Sequence, residues 1–381
     1  MAIFFTVFLL LYGSANFFVW WRAMHAFQFQ TLPTKILFTI AFIIAASSYI
    51  LTKTLLSNVT SVVYDIFLWI GSLWFALLLY SLLSLLVIDI VLLINKVFPI
   101  LPPMLWTNYA KTKFITGLVI VTLTLLSAGY GYFNASNIKV KTISLTLPKK
   151  NSSLSSLNIL FFSDAHFTAV NNGRIADQIL AIMKKVNPDI ILIGGDVIDD
   201  KAIHLQRSGI DKKLQALHAK YGVYTINGNH EYISGVNAAD KFLNENNVNV
   251  LRDSIITVGN SVQIIGREDL SIKGFAHGSR KSVADLMKEA REDLPTILLD
   301  HQPFHLEEAA ASNIDLQLSG HTHHGQMFPF NFITKMVYEL SWGYKKINNT
   351  NFYVSSGVGT WGPPVKIGND AEVINFALTF K

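Results

Sequence analysis

An α-helical membrane module followed by a soluble α/β domain is the fold class predicted by this 381-residue sequence, and three observations carry it. Charge is partitioned: residues 1–136 hold only Arg22, Lys35, Lys53, Asp65, Asp89, Lys96, Lys111 and Lys113, and no glutamate. Beyond residue 157, short apolar runs alternate with helical stretches, the pattern of an α/β domain. Those apolar runs end repeatedly in aspartate, asparagine or histidine. The length suits two domains, with boundaries expected at 1–136 for the membrane module, 137–156 for a linker and 157–381 for the soluble domain. The chain has no cysteine, which excludes disulfides, thiolate nucleophiles and cysteine metal sites. The excess positive charge comes partly from lysines near membrane boundaries. No basic run has the length that nucleic-acid patches need, so no nucleic-acid partner is expected.

The first apolar run, Ala2 to Trp21, is about as long as a bilayer crossing requires, and Arg22 ends it. It is longer than a signal-peptide core and lacks a small-residue cleavage site, so it reads as an uncleaved helix. Pro33 and Lys35 open a second run, Ile36 to Leu51. The third, Val62 to Phe98, exceeds one span, with Asp65, Asp89, Asn95 and Lys96 as its main polar interruptions. One long tilted helix or a helix with an interfacial extension satisfies it, whereas two tight spans lack a turn signal. Asp89 either marks a polar function inside the membrane or is an acid at headgroup level or paired with a neighbouring helix; the second reading is preferred. Pro99, Pro102 and Pro103 close this run, and Phe114 to Phe133 supplies a fourth span. Arg22, Lys35, Lys96, Lys111 and Lys113 fall in the loops after the first and third spans, which the positive-inside rule places in the cytoplasm. The expectation is therefore a multi-pass protein of the cell (inner) membrane, in contact with the lipid bilayer, with its soluble domain on the extracytoplasmic side. Lys139, Lys141, Lys149 and Lys150 weigh the other way. The polar stretch Asn151 to Ser156 marks the entrance to the soluble domain.

In that domain Asn158 to Ser163 is a buried-strand pattern running into Asp164-Ala165-His166. A helical stretch from Ile175 to Val186 precedes the strand Asp189 to Ile193, which ends in Gly194-Gly195-Asp196 with Asp199 three residues on. A helix over Ile210 to Ala219 leads to the strand Gly222 to Ile226 and then to Asn227-Gly228-Asn229-His230-Glu231. Strand candidates follow at Val248 to Leu251 and Val262 to Ile265. Thr296 to Leu299 stops at Asp300-His301-Gln302-Pro303, and Ile314 to Leu318 stops at Gly320-His321-Thr322-His323-His324-Gly325. Each ending has an ordinary alternative when taken alone: a turn or helix cap for Asp164 and His166, a turn for Asp196 or Asn229, a partly buried ring for His301, a histidine-rich surface loop for His321 and His323. Their joint occurrence at five strand ends points to one site, because α/β domains gather ligand loops at the carboxyl ends of strands. In an extended backbone residues two apart face the same way, so His321 and His323 can approach one site together.

Asp164, His166, Asp196, Asn229, His301, His321 and His323 are too many mixed oxygen and nitrogen ligands for one tetrahedral ion and suit two adjacent ions, with Asp196 between them. Two divalent ions about 3.5–4 Å apart can share a water, lower its pKa and stabilise in-line displacement at phosphorus. A phosphate ester is therefore the expected substrate. His230 beside such a site can give a proton to the leaving oxygen, with Glu231 as its orienting partner. Mn, Fe and Zn all accept this donor mix, and Mn is favoured. No Ser-His-Asp arrangement competes, and Gly194-Gly195-Asp196 lacks the lysine and hydroxyl residue of a P-loop.

Taken together, Asp164-x-His166, Gly195-Asp196-x-x-Asp199, Gly228-Asn229-His230-Glu231, His301 and Gly320-His321-x-His323 resemble the five-block pattern of the calcineurin-like metallophosphoesterases, over about residues 157 to 380. A closer likeness is to membrane-tethered bacterial phosphohydrolases of the YkuE/YaeI-like type. It is carried by Gly228 to Tyr232 with Ser234-Gly235-Val236, by Leu316 to His323, by Gly325-Gln326 with Phe328-Pro329-Phe330, and by Ser356-Gly357 leading into Trp361-Gly362-Pro363-Pro364. The resemblance implies a four-layer α/β/β/α sandwich with a dinuclear site at the ends of two mixed sheets. It assigns Asp164, His166, Asp196 and His323 to one metal, Asp196, Asn229, His301 and His321 to the other, and proton donation to His230. The implied activity is hydrolysis of a phosphodiester, pyrophosphate or phosphomonoester through metal-activated hydroxide, and the membrane module favours a lipid-linked substrate. Alternatives are a phosphatase for soluble nucleotides or phosphoproteins, and a sensor or transport component whose metal domain only binds its ligand. Asp200 stands where protein Ser/Thr phosphatases carry Arg-Gly after the second aspartate, which weakens the phosphoprotein reading. His324 replaces a common glycine and is either a solvent-facing substitution or a substrate contact, the first being preferred, and His305 is expected on a helix surface. Arg267 and Arg280 are candidates for a second phosphate or a headgroup.

Overall fold

The computed structural model describes residues 2–168 and 172–381. The chain forms two compact units, Met1–Tyr132 and Phe133–Lys381. The first is built from α1 (Ala2–Phe27), α2 (Leu32–Thr54), α3 (Val62–Val97), the single turn α4 (Met104–Thr107) and most of α5 (Tyr109–Ala135). Among the described residues three helices, α2, α3 and α5, are long and apolar enough to cross a membrane. The first apolar run is also helical, as α1, but is not one of the three, so the expected four spans are met for three helices.

The third run forms the single expected helix. Its 36 residues, at about 1.5 Å each, span roughly 54 Å against a hydrocarbon core of about 30 Å. Several polar side chains inside the unit find partners. Trp74 Nε1 donates to Asn16 Oδ1 at 2.8 Å, Tyr12 to the Ala46 carbonyl at 2.7 Å, and Arg22 to both Asp89 oxygens at 2.7 and 2.8 Å. Asp89 is thus an acid paired with a neighbouring helix. A cavity of about 550 Å³ beside this ion pair, lined also by Trp21, Trp106 and Lys113, contains none of the candidate metal ligands.

Among the described residues the second unit holds twelve strands: β1 (Lys139–Leu147), β2 (Ser156–Phe162), β3 (Ile190–Ile193), β4 (Val223–Ile226), β5 (Asn249–Leu251), β6 (Ser254–Val258), β7 (Val262–Gly266), β8 (Thr296–Leu299), β9 (Leu316–Ser319), β10 (Gly343–Ile347), β11 (Thr350–Val354) and β12 (Glu372–Phe380). Its helices are α6 (Asn172–Val186), α7 (Ala202–Arg207), α8 (Ile210–Gln215), α9 (Asn229–Ser234), α10 (Val236–Glu245), α11 (Ile272–Phe275), α12 (Val283–Glu289), α13 (Leu306–Ala311) and α14 (Phe330–Val337). The strands form two mixed six-stranded sheets, ordered β1-β12-β2-β3-β4-β5 and β10-β11-β9-β8-β7-β6.

Residues 139–147, expected in a linker, are instead β1, parallel to β12 from Lys139 opposite Glu372 to Leu147 opposite Phe380. Lysine and threonine on the exposed positions of this edge strand hide its alternation. The expectation of a linker over 137–156 is corrected accordingly.

Alternation along single strands generates the layers. Ile159 and Phe161 of β2 lie in a core with Ile297 and Leu299 of β8, Leu316 and Leu318 of β9, and Phe376 of β12; this is the seam between the sheets. Leu160 and Phe162 point the other way, against Ile175, Ile179 and Met183 of α6 and Phe242 of α10. On the second sheet Leu298 packs outward against Leu286 of α12 and Leu306 of α13. Three cores separate four layers, the α/β/β/α sandwich expected. Because β2, β3 and β4 run parallel, as do β7, β8 and β9, the loops leaving them emerge at one edge of each sheet.

Candidate metal centre

The loops after β2 and β3 are laced together by their backbones. Asp164 N donates to Gly195 O and His166 N to Asp196 O, each at 3.0 Å, and Gly359 N returns a bond to Asp164 O at 2.9 Å. Under these constraints Asp164, His166, Asp196, His321 and His323 all adopt left-handed backbone angles, with φ of 55, 43, 51, 71 and 45°. Such angles are uncommon outside glycine and collect at functional sites, where surrounding structure over-determines them. Two glycines serve a different need. A Cβ on Gly320 would collide with the Asp164 carboxylate, and one on Gly228 with that of Asp196. Their absent side chains let the backbone close onto both acids.

The five loops bring their donors together. Asp196 Oδ2 lies 3.2 Å from His301 Nε2 and 3.7 Å from His166 Nε2, while its Oδ1 accepts His230 N at 2.8 Å. The Nε2 atoms of His166 and His323 are 2.9 Å apart, and Asp164 Oδ1 is 3.5 Å from His323 Nε2. Asn229 Oδ1 is 2.8 Å from His321 Nδ1. Among the described residues three groups converge closely enough to hold an ion: Asp164, His166 and His323; Asp196, His301 and His321; and His166, Asp199 and His230. His321 and His323 fall in different groups, because the backbone there is not extended as the alternation argument assumed. It leaves β9 in left-handed angles and makes a 3₁₀ turn over His323–Gly325.

The electrostatics of the cluster favour a cation. His301 Nδ1 lies 2.7 Å from the Gly194 carbonyl, which can only accept, so that nitrogen carries hydrogen and Nε2 is directed at the acids. Nε2 has no hydrogen-bond partner although fully buried. Burial opposes charge on this ring, but Asp196 and Asp164 outweigh it and hold its pKa well above the ordinary value. Positive charge is wanted there. Burial, reinforced by His230, pushes His166 down to about 3, and burial with His166 beside it pushes His323 well below the usual range. Both rings are neutral at ordinary pH, as metal-ligating imidazoles must be, and the Nδ1 atom of each has no hydrogen-bond partner. Burial raises Asp164 to about 6. It acts the same way on Asp196, but His301 and the other rings overcome it and keep that acid ionised. The unpartnered His301 Nε2 facing Asp196, with the Nε2 atoms of His166 and His323 close to Asp196 and Asp164, fits divalent metal.

His230 lies edge-on to His166, ring centroids 4.6 Å apart, with Trp361 at 6.0 Å. Its Nδ1 contacts Asp199 Oδ1 at 2.8 Å. Burial lowers its pKa, but Asp199 and Asp196 outweigh that and raise it to about 9. Asp199, three residues beyond Asp196, is therefore the acid that orients this ring. Glu231, expected to orient His230, does something else. Its oxygens accept backbone N–H groups of Asp196 (3.1 Å), Val197 (2.7 Å), Ile198 (3.1 Å) and Gly228 (2.7 Å), so it fastens the ligand-bearing loops from beneath. Burial, then the charge of Asp196, pushes its carboxyl up to about 7.

His324 does not face solvent. It is buried, with Nδ1 3.0 Å from Ser341 Oγ and its ring against Trp342. Arg267 and Arg280 are both held by the Asp300 carboxylate, at 3.0 and 2.9 Å, so they brace the loop of His301 rather than await a phosphate. His305 is exposed at the start of α13, as expected. Asn369, which no sequence signal marked, donates to the His323 carbonyl at 2.6 Å.

Residues 157–325 match the family described as calcineurin-like phosphoesterase. The chain is 32% identical over 252 residues to a Helicobacter pylori protein named an uncharacterized metallophosphoesterase, a match covering 65% of each protein. It is 30% identical over 254 residues to the Bacillus subtilis metallophosphoesterase YkoQ, covering 63% of this chain and 90% of that one. A zebrafish protein named transmembrane protein with metallophosphoesterase domain is 27% identical over 281 residues, 71% of this chain and 64% of the relative. The matched part thus spans just under two thirds of the length of the Helicobacter relative.

Proposed function

The chain belongs to the calcineurin-like metallophosphoesterases, and from that premise we propose that it is a membrane-anchored hydrolase of a phosphodiester, pyrophosphate or phosphomonoester. In this reading Asp164, His166, Asp196 and His323 hold one divalent ion, and Asp196, Asn229, His301 and His321 hold a second. The observation that carries it is the Asp196 carboxylate, with Oδ2 facing both His166 and His301. Divalent ions there would supply Lewis acidity, offsetting charge on phosphoryl oxygens and acidifying water.

The protein's own groups do the rest. Asp199 fixes the His230 ring and favours its protonated form, so His230 is suited to give a proton to the leaving oxygen. Asn229 follows Gly228 at the start of α9, where Glu231 locks the turn. Trp361 stands beside His230, its ring edge-on to the imidazole, and supplies an aromatic surface next to the proton donor. The distribution of Arg22, Lys35, Lys96, Lys111 and Lys113 supports an extracytoplasmic domain, and tethering supports a substrate presented at the membrane.

The test is turnover of a chromogenic phosphodiester by the purified full chain, loaded with manganese or treated with a chelator, beside Asp196→Asn. Metal-dependent turnover that vanishes in the variant is expected. Turnover that persists in Asp196→Asn sinks the assignment, and absence of turnover on any ester favours a domain that only binds its ligand.

A further inference from the structure

The loop that carries His321 and His323 runs on into an apolar surface. Phe328 follows it closely, and α14 begins two residues later. No residue of α14 is buried. Phe332, Ile333, Met336 and Val337 are 55, 51, 79 and 56% exposed, and Phe328 is 46% exposed. A contiguous run of large apolar side chains offered to solvent beside a binding cleft marks an interaction surface.

What covers it is indicated by how the chain enters the domain. Within this unit Asn134, in the last turn of the apolar helix α5, donates to the carbonyls of Lys366 and Asn369 at 3.2 and 2.7 Å. Asn369 in turn donates to the His323 and His324 carbonyls. Phe328 N bonds Ile367 O, and Ile367 N bonds Gln326 O. The entry point and the root of α14 are thus braced by one short loop, residues 366–369. Only residues 136–138 separate the apolar α5 from β1, about 10 Å of chain at full extension, so a bilayer crossed by α5 would lie only a short length of chain from this entry point. Lys335, on the same short helix, suits anionic headgroups.

We propose that Phe328–Val337 is an interfacial element that seats in the headgroup and acyl boundary of the phospholipid bilayer. It holds the mouth of the metal centre at the membrane surface, where esters carried by the bilayer reach it. The part of the proposal that concerns esters rests on the phosphoesterase reading; the seating of the segment does not.

The absence of cysteine makes the test clean. Phe332→Cys and Met336→Cys, each labelled with an environment-sensitive fluorophore on the full chain in vesicles of phosphatidylcholine and phosphatidylglycerol, should show blue-shifted emission quenched by acyl-chain nitroxides. Lys241→Cys, whose native side chain on α10 is 74% exposed, should instead be quenched by aqueous iodide. Water-like emission at both 332 and 336 overturns the proposal. In a second arm, Ile333→Asp with Met336→Asp should lower turnover of a vesicle-borne phosphate ester by more than about tenfold relative to a soluble chromogenic ester. An equal loss on both substrates overturns the proposal. If wild-type protein hydrolyses no ester, the phosphoesterase reading fails, and the fluorophore arm still decides whether the segment seats in the membrane.

Discussion

Replacing Glu231 with glutamine separates a structural role from a chemical one. In the native loop each carboxylate oxygen accepts two backbone N–H groups, Val197 and Ile198 on one, Asp196 and Gly228 on the other. Glutamine retains one oxygen and puts an NH₂ group where the second stood, so whichever way it turns, two buried N–H donors face another donor. Each buried unsatisfied donor costs about 1–3 kcal/mol, giving a loss of about 2–6 kcal/mol. For a domain of this size a change of 1 kcal/mol moves the unfolding midpoint by about 2–4 °C, so a fall of about 4–24 °C is expected. The loops freed are those that present Asp196 and Asn229, and bound metal should fall with stability. Thermal unfolding of the full chain, with metal measured by elemental analysis, checks both. A Glu231→Gln protein that keeps its midpoint and its metal but loses turnover would refute the reasoning and place Glu231 in the chemistry.

Four further outcomes follow from the same geometry. Asp199→Asn removes the acid that fixes the His230 ring, so kcat should fall about 10²-fold with KM and metal content little changed; parallel loss of metal would make Asp199 a ligand instead. His324→Ala breaks the Ser341 contact and should cost about 1–2 kcal/mol without loss of metal, whereas His323→Ala should lose metal, and elemental analysis of the pair distinguishes the two adjacent rings. Chelation should lower the unfolding midpoint and manganese should restore it, since a ligand at 100 times its Kd stabilises by about 2.7 kcal/mol; an unmoved midpoint counts against a metal site. Lys366 is fully buried with its ammonium on the Ser356 and Gly357 carbonyls, and burial, opposed by Glu372, pushes it down to about 8 from 10.5. The unfolded chain therefore binds more protons between those values, and stability should rise with pH from about 8 to 10.5 by roughly 3 kcal/mol. Lys366→Met should abolish that rise in the pH dependence of the midpoint.

How much of this is legible in the sequence depends on how far away each residue's partner lies. The inner strands β2, β3, β8 and β9 can be read because both faces are buried, which forces an unbroken apolar run. The ligands at their ends can be read because the strand locates them. By contrast β1 and β12 escape notice. The first exposes Val140, Thr142, Ser144 and Thr146 and opens on Lys139 and Lys141, and the second carries Glu372 and Asn375, which interrupt an apolar pattern. Glu372 is tolerated at no exposure only because Lys141, Trp342, Tyr353 and Ser356 all donate to it, partners supplied by three separate stretches of chain.

The same rule sorts the site. That His321 and His323 are candidate ligands follows from their place between glycines at a strand end, although the turn sends them to different groups. That His324 is buried follows only from Ser341 and Trp342, and that Glu231 serves the backbone follows only from a loop more than thirty residues earlier. Histidines and carboxylates announce themselves locally, whereas the groups that hold them in left-handed turns are ordinary residues whose function is set by what the fold brings beneath them. Substitutions at Asn369 or Glu231 should therefore act on the metal centre as strongly as substitutions of some ligands, although nothing in their local sequence marks Asn369 at all.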